Sequence, residues 1–283
     1  MKQATAIFAL VASLLGGWKS AYASNDVDVR LYRLDCGTMH LGDLTLMSDS
    51  GAYKGRSYDI VVSCYLIKHG DDWLLWDTGL SKDFLGGVTS GSLKMELTKT
   101  LVEQLEALGL SPSDIDIVAL SHAHFDHAGQ TGDFPEATLV LQRSEYEVLL
   151  QEKVAKAHFI EPGLLQSHVS DPELSKVKLV EGNHDLYGDG RVKMIALPGH
   201  TPGHMALELT LRNAGTVLLS GDQWHFTENR LRNQVPTFNF SHDQTLESSE
   251  KLEQLASREG VTFIIQHEPA DNARLPALPG YLD

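Results

Sequence analysis

His122, His124 and His127, with Asp126 between the last two, place four metal-capable side chains within six positions. They lie in Ala119-Leu120-Ser121-His122-Ala123-His124-Phe125-Asp126-His127-Ala128-Gly129, directly after a short apolar run. Neutral imidazole and carboxylate are the donors that borderline divalent ions such as zinc prefer. So dense a cluster is costly to fold unless a cation neutralises it. A metal centre is therefore expected, and the remaining donors decide whether it is structural or hydrolytic.

Three further groups stand where loops should follow strands. They are His200 in Leu197-Pro198-Gly199-His200-Thr201-Pro202-Gly203-His204, Asp222 in Leu218-Leu219-Ser220-Gly221-Asp222, and His267 in Phe263-Ile264-Ile265-Gln266-His267. In each, an apolar run delivers a polar side chain to a rim, and Gly or Pro often lets the backbone turn nearby. Taken singly, a rim histidine is usually a surface or capping residue, and a Gly-Asp pair is usually a turn. Taken as an ordered set with the cluster, they give five histidines and two aspartates. That is too many donors for one tetrahedral zinc and fits two metals sharing a carboxylate.

The elements that must position these groups alternate between strand-like and helical patterns. Residues 58–68 and 73–76 read as a hairpin joined by His69-Gly70-Asp71-Asp72, the second strand ending in Asp77-Thr78-Gly79. A helix follows, with Leu97, Leu101, Leu105 and Leu108 on one face and Gly109 as its stop. Residues 115–120 form a short buried strand carrying the histidine cluster at its end. Strands are expected over 138–142, 177–180, 192–197, 205–211, 216–219 and 261–265, with helices over 144–151 and 246–257. Such interleaving predicts one mixed α/β domain over residues 24–283.

The first 23 residues are set aside: Lys2, an apolar run from Ala4 to Leu15, Gly16-Gly17 and Ala21-Tyr22-Ala23 have the pattern of a cleaved secretory leader. The run is short of the roughly 20 apolar residues a spanning helix needs. Cleavage after Ala23 predicts a periplasmic or secreted protein with no membrane partner. The formal charge of −15 becomes more negative once Lys2 and Lys19 are lost, which disfavours nucleic acid and anionic membranes. Cys36 and Cys64 are the only cysteines. One disulfide is open to an exported pair, but the β-like setting of Cys64 favours buried free thiols.

His122-x-His124-x-Asp126-His127, followed by His200, Asp222 and His267, resembles the metallo-β-lactamase superfamily, and Asp77-Thr78-Gly79 matches its early strand-end motif. The resemblance implies an αβ/βα sandwich, four layers deep, with a dinuclear metal centre at one edge of its sheets. It implies two divalent ions, zinc being the expected metal, although cobalt, iron or manganese also suit these donors. It implies His122, His124 and His200 on one metal, Asp126, His127 and His267 on the other, and Asp222 bridging. Within the superfamily the chain is most similar to N-acyl homoserine lactone lactonases, the quorum-quenching enzymes. The supporting segments are Pro198 to His204, Gln142-Arg-Ser-Glu-Tyr-Glu147 and Phe238-Asn-Phe-Ser-His-Asp243.

The activity so implied is hydrolysis of an acyl lactone, a small-molecule partner, by a hydroxide held between metals about 3.5–4 Å apart. Asp126 resembles the residue that delivers a proton to the leaving oxygen. Several lactonases carry a tyrosine three residues after the bridging aspartate; here that position is His225, expected as a hydrogen-bond donor on the oxyanion side. The segment between Gly79 and the first helix is shorter than in some members. Asp77 is a candidate to orient a ligand histidine, and His204 is expected to be structural. Met39, Phe84, Leu85 and Phe125 are candidates for an acyl pocket. The alternative is another exported dinuclear hydrolase of this superfamily, acting on an organophosphate, aryl ester, other lactone or thioester. The bridging aspartate places a β-lactam last. A homodimer is left open.

Overall fold

Near-continuous apolar runs set two sheets, because alternate side chains of a strand face opposite sides and here both sides are covered. The computed structural model describes residues 27–283, so the leader expected over 1–23 lies outside the described residues. The first sheet contains β1 (Val29–Leu41), β2 (Tyr58–His69), β3 (Asp72–Trp76), β4 (Val88–Ser90), β5 (Leu93–Glu96), β6 (Ile117–Ala119), β7 (Thr138–Gln142) and β8 (Val177–Val180). Its spatial order is β4-β5-β1-β2-β3-β6-β7-β8. Along this part of the chain run α1 (Leu101–Glu106), α2 (Phe125–Ala128), α3 (Arg143–Leu149), α4 (Glu152–Ala157) and α5 (Gln166–Val169). The second sheet contains β9 (His184–Asp185), β10 (Val192–Ala196), β11 (Met205–Thr210), β12 (Thr216–Leu219) and β13 (Val261–Ile264), ordered β13-β12-β11-β10-β9. Helices α6 (Thr227–Arg232) and α7 (His242–Ala256) lie between its last two strands, and α8 (Pro269–Asn272) follows them.

Three buried clusters show how the layers stack. Tyr65, Ile67, Leu74 and Trp76 of the first sheet meet Met194, Leu207, Leu209, Val217 and Leu219 of the second. The opposite face of the first sheet, with Cys64, Leu66, Leu75, Val118 and Leu139, packs on Leu101, Leu105, Val148 and Ala155 of its helices. The outer face of the second sheet, with Ile195, Ala206, Leu218 and Phe263, packs on Leu252 of α7. Helix, sheet, sheet and helix follow in that order, as expected of the αβ/βα sandwich. Among the described residues no helix is long and apolar enough to cross a membrane.

Parallel pairing brings the chemistry to one edge. β3, β6 and β7 run parallel with Trp76 opposite Ala119 and Ala119 opposite Val140, so Asp77 and the histidine loop leave neighbouring strand ends. β12 and β13 also run parallel, with Leu219 opposite Ile264, so the Asp222 and His267 turns emerge together. The sheets are tied at this edge by Met205 N donating to Ser121 O (2.8 Å) and Val61 N donating to His267 O (3.2 Å).

The structure corrects two expectations. Cys36 and Cys64 are disulfide-bonded, with their Cα atoms 5.8 Å apart. The 13-residue strand β1 pairs antiparallel with β2, Leu34 lying opposite Cys64, and Cys36, two residues on, lies on the same face beside a register shift between Asp35 and Thr38. That pairing is invisible without β1, whose Arg, Asp and His residues obscure its alternation. Helix α1 begins at Leu101 rather than before Leu97, because Thr100 caps it through a reciprocal pairing with Glu103. Leu97 is instead buried in a bridge to Leu85.

The disulfide lies against the Asp77-Thr78-Gly79 turn. Gly79 has φ +67°, and a β-carbon there would lie 2.4 Å from Cys36 Cβ, so only glycine fits. Closing a chain separation of 28 residues should stabilise the fold by about 3–4 kcal/mol, worth roughly 10 °C in melting temperature. Urea unfolding with and without reductant should show a lower midpoint when reduced; coincident curves would mean the bond contributes nothing.

Candidate metal centre

Asp77 organises the first half of the site. It ends β3 with φ +59° and is fully buried. Its Oδ1 accepts from Ser121 N (2.7 Å), and its Oδ2 from Ser121 Oγ (2.9 Å), His127 Nδ1 (2.9 Å) and Gln266 Nε2 (3.0 Å). One carboxylate thus fixes the end of β6, the imidazole of the short helix α2 and the end of β13. Asp77 therefore orients His127 as well as ending its strand.

The structure brings His122, His124, Asp126, His127, His200, Asp222 and His267 together, and all are buried. One group that could hold a metal contains His122, His124, His200 and Asp222; another contains Asp126, His127 and His267. His200 Nε2 lies 3.2 Å from His122 Nε2 and 3.1 Å from His124 Nδ1. His127 Nε2 lies 3.2 Å from His267 Nε2. Asp222 spans the two groups: Oδ1 is 3.1 Å from both His127 and His267, while Oδ2 is 3.4 Å from His200 and 3.8 Å from His122. Asp126 Oδ2 is 3.6 Å from His267 and 3.8 Å from His127.

The far ring nitrogens settle which nitrogens face inward. His127 Nδ1 donates to Asp77, His267 Nδ1 to Val61 O (2.7 Å) and His200 Nδ1 to Asn239 Oδ1 (3.0 Å). Ser121 Oγ spends its proton on Asp77 and accepts from His122 Nδ1 (2.9 Å). Nε2 of all four rings is then an inward-facing lone pair. Lone pairs so close repel one another unless a cation lies among them. Donors held about 2.0–2.2 Å from a tetrahedral ion lie roughly 3.3–3.6 Å apart, close to the separations here. Asp222 Oδ1, buried without a hydrogen-bond partner, completes the argument that these residues fit a metal.

Electrostatics agree. Burial, with the neighbouring histidines, drives His122 and His200 well below the usual imidazole range and His124 down to about 3. Burial also opposes charge on Asp222, yet His127, His267, His225 and His122 outweigh it and keep the carboxylate ionised. His127 and His267 are raised despite burial, by Asp222 and Asp126 and, for His127, Asp77. Positive charge is favoured where those carboxylates converge.

His225 faces the same place. Its Nε2 is 3.3 Å from Asp222 Oδ2, its ring stacks parallel to His267, and its Nδ1 is buried without a protein partner. His124, Asp126, Asp222 and His225 line one side of a cavity of about 240 Å³, whose apolar walls include Met39, Leu93, Phe125, Phe159 and Phe238. Phe84 lines an adjoining trough, whereas Leu85 is 46 % exposed and lines neither. His204 holds a backbone: it donates through Nδ1 to Leu197 O (3.0 Å) and accepts at Nε2 from Asp222 N (2.8 Å).

Sequence reasoning missed the residues that pin the donor loops. Glu145, fully buried, accepts from Ala123 N (2.9 Å) between His122 and His124 and from Gly203 N (2.9 Å) after His200. Burial raises its pKa, while Thr201 and these two N–H groups resist the rise. Gly203 has no room for a side chain, since a β-carbon would lie 2.5 Å from Glu145 Cβ. Asn239 and Gln266 were missed too; Gln266 also accepts from Trp76 Nε1 (2.9 Å) and Gly221 N (3.0 Å). Their only signal was membership of the supporting segments or adjacency to His267.

The profile of the metallo-beta-lactamase superfamily matches residues 57–259. The chain is 31% identical over 267 residues to N-acyl homoserine lactonase AttM of Azorhizobium caulinodans, covering 90% of this chain and 99% of that protein. Its structure is similar to that of a Bacillus thuringiensis AiiA variant with N-decanoyl-L-homoserine bound at the active site: TM-score 0.75, 26% identity, covering 90% and 99% of the two chains. It is likewise similar to an N-acyl homoserine lactone hydrolase with N-hexanoyl-L-homoserine bound at the catalytic metal center, with TM-score 0.74, 27% identity and coverage of 90% and 99%.

Glu145→Gln gives a direct test of the loop anchoring, because it places an amide donor against a backbone donor. Zinc affinity, measured by competition with a chelator, should fall about 10–100-fold. Zinc retention equal to the parent's would show that the two loops are held by other contacts.

Proposed function

The chain belongs to the metallo-β-lactamase superfamily, and from that premise we propose that it opens the lactone ring of N-acyl homoserine lactones. The observation that carries the reading is Asp222, its two oxygens facing two donor groups at the floor of an apolar cavity. Relatives and solved structures named as such lactonases or hydrolases match nearly this whole chain, and two of the structures hold ring-opened products. An acyl tail requires apolar walls beside the reacting carbonyl, and this cavity supplies them.

His122, His124 and His200 would hold one ion and Asp126, His127 and His267 the other, with Asp222 shared. Bound there, two divalent ions, zinc by our reading, would lower the pKa of a shared water toward hydroxide and polarise the lactone carbonyl. The chain's own groups then do the rest. Met39, Phe125 and Phe238 exclude water and hold the acyl portion. Asp126 Oδ2 faces two imidazoles, so Oδ1 is the oxygen left to carry a proton to the ring oxygen as the C–O bond breaks. The product is an acyl homoserine: the carbonyl carbon has gained a water oxygen and the former ring oxygen is a hydroxyl. His225 donates toward the carbonyl oxygen from the position where several lactonases carry tyrosine.

We also read the protein as exported to the periplasm or medium. The leader pattern over residues 1–23 and the Cys36–Cys64 disulfide, which persists in oxidising compartments, support this.

A pH-indicator assay across acyl lactones, γ-lactones, β-lactams, thioesters and aryl phosphotriesters should show acyl-lactone opening that a chelator abolishes. β-Lactam turnover without lactone turnover would sink the reading. Asp222→Ala should lose metal and activity together. His225→Ala should retain both metals while kcat falls about 10²-fold; an unchanged kcat would remove His225 from the mechanism.

A further inference from the structure

Helix α4 ends in a hydrogen-bond pattern that ordinarily selects glycine. His158 N and Ile160 N both donate to Ala155 O at 3.0 Å, and Phe159 between them adopts φ +60°. A bulky side chain in this left-handed conformation carries a steric cost that glycine avoids. Core packing does not repay it, because Phe159 remains 44 % exposed. A strained aromatic residue left at the surface calls for another reason.

Its surroundings supply one. The ring stands edge-on to Phe238 (5.6 Å between centroids) and to the ligand His124 (6.3 Å). Phe159 lines the cavity of about 240 Å³ that contains Asp222 and His225, and also the outer trough of about 540 Å³ that runs past Phe84 and Met95. Leu93 and Phe125 are the other walls the two spaces share. The ring is carried on a fixed support. Phe125 N donates to Phe159 O (3.1 Å), and His158 stacks on Phe240 (3.7 Å) while its Nδ1 approaches Phe238 O (3.1 Å). The same short segment carries Asn239, which orients His200.

We propose that Phe159 is a specificity-determining residue, a clamp on the distal part of a long acyl tail where it leaves the inner cavity for the outer trough. The proposal rests on the lactone reading above and deepens it: the preferred substrates are long-chain acyl lactones. A short tail ends inside the inner cavity and gains nothing from the ring. A longer one crosses Leu93, Phe125 and Phe159, burying more methylenes and gaining affinity with each. Because the ring touches the tail rather than the lactone, its contribution is uniform binding, which appears in KM rather than kcat.

The test compares N-decanoyl and N-butanoyl homoserine lactones on the intact, metal-loaded protein, its Phe159→Gly variant and its Phe159→Leu variant. The parent should show a KM at least about tenfold lower for the decanoyl substrate, the effect of burying as few as two of its six additional methylenes. Phe159→Gly should raise the decanoyl KM about tenfold relative to the butanoyl KM, with kcat changing in the same proportion for the two substrates. Its melting temperature should equal or exceed the parent's, because the left-handed strain is relieved. Phe159→Leu should recover part of the decanoyl affinity. Calorimetric titration with ring-opened N-decanoyl-L-homoserine should show the same order of affinities. If the parent opens both lactones without preference, or Phe159→Gly shifts both KM values equally or neither, the clamp is overturned and the lactone reading stands. If the parent opens neither lactone, the lactone reading fails and takes the clamp with it.

Discussion

A single buried carboxylate, Asp77, is the constraint on which the rest of the site depends. It has four hydrogen-bond donors arriving from three directions: the end of β6, the helix bearing His127, and the turn after β13. Moving any of these ends strips a hydrogen bond from a carboxylate in a dry interior, where no water replaces it. Through Gln266 the restraint passes to Trp76 and Gly221, and so to the turn that presents Asp222. Behind Asp77, the disulfide and Gly79 pack so closely that the turn has little room to relax. The donors are thus held in place by contacts within the protein itself.

Other parts of the site follow the same pattern of a buried polar group holding backbone. Glu145 bridges the loops of His124 and His200, and His204 fixes the amide of Asp222. Each converts the freedom of a loop into one arrangement. A donor set displaced by an ångström would serve a metal poorly, so these supports matter as much as the candidate donors.

The candidate donors stood out in the sequence because of density and context. His122 to His127 are crowded into one stretch, and His200, Asp222 and His267 each end an apolar run, so the strands that carry them could be read with them. The alternation of layers was legible for the same reason, strands 138–142, 177–180 and 216–219 keeping their expected bounds. What could not be read depends on pairs distant in the chain. Glu145 serves amides 22 and 58 residues away, and nothing in its own segment says so. β1 hides because its outward positions carry charge and its register shifts midway, and with it went the pairing of Cys36 with Cys64. Leu97 fits the helical spacing of α1, but Thr100 sets the start by satisfying the first free amides. Periodicity reports which face a residue prefers, while caps and cross-strand partners decide where an element begins.

The distribution of donors between the sheets has one further consequence. His122, His124, Asp126 and His127 leave the first sheet, whereas His200, Asp222 and His267 leave the second. Each candidate ion position therefore takes donors from both, and an ion bound at either would rivet one half of the sandwich to the other. Unfolding would then require releasing it, so resistance to unfolding would grow by about 1.4 kcal/mol for each tenfold rise in free metal above the dissociation constant at one site. Durability and turnover in this protein would answer to the same external variable, the metal supply of the compartment in which it works.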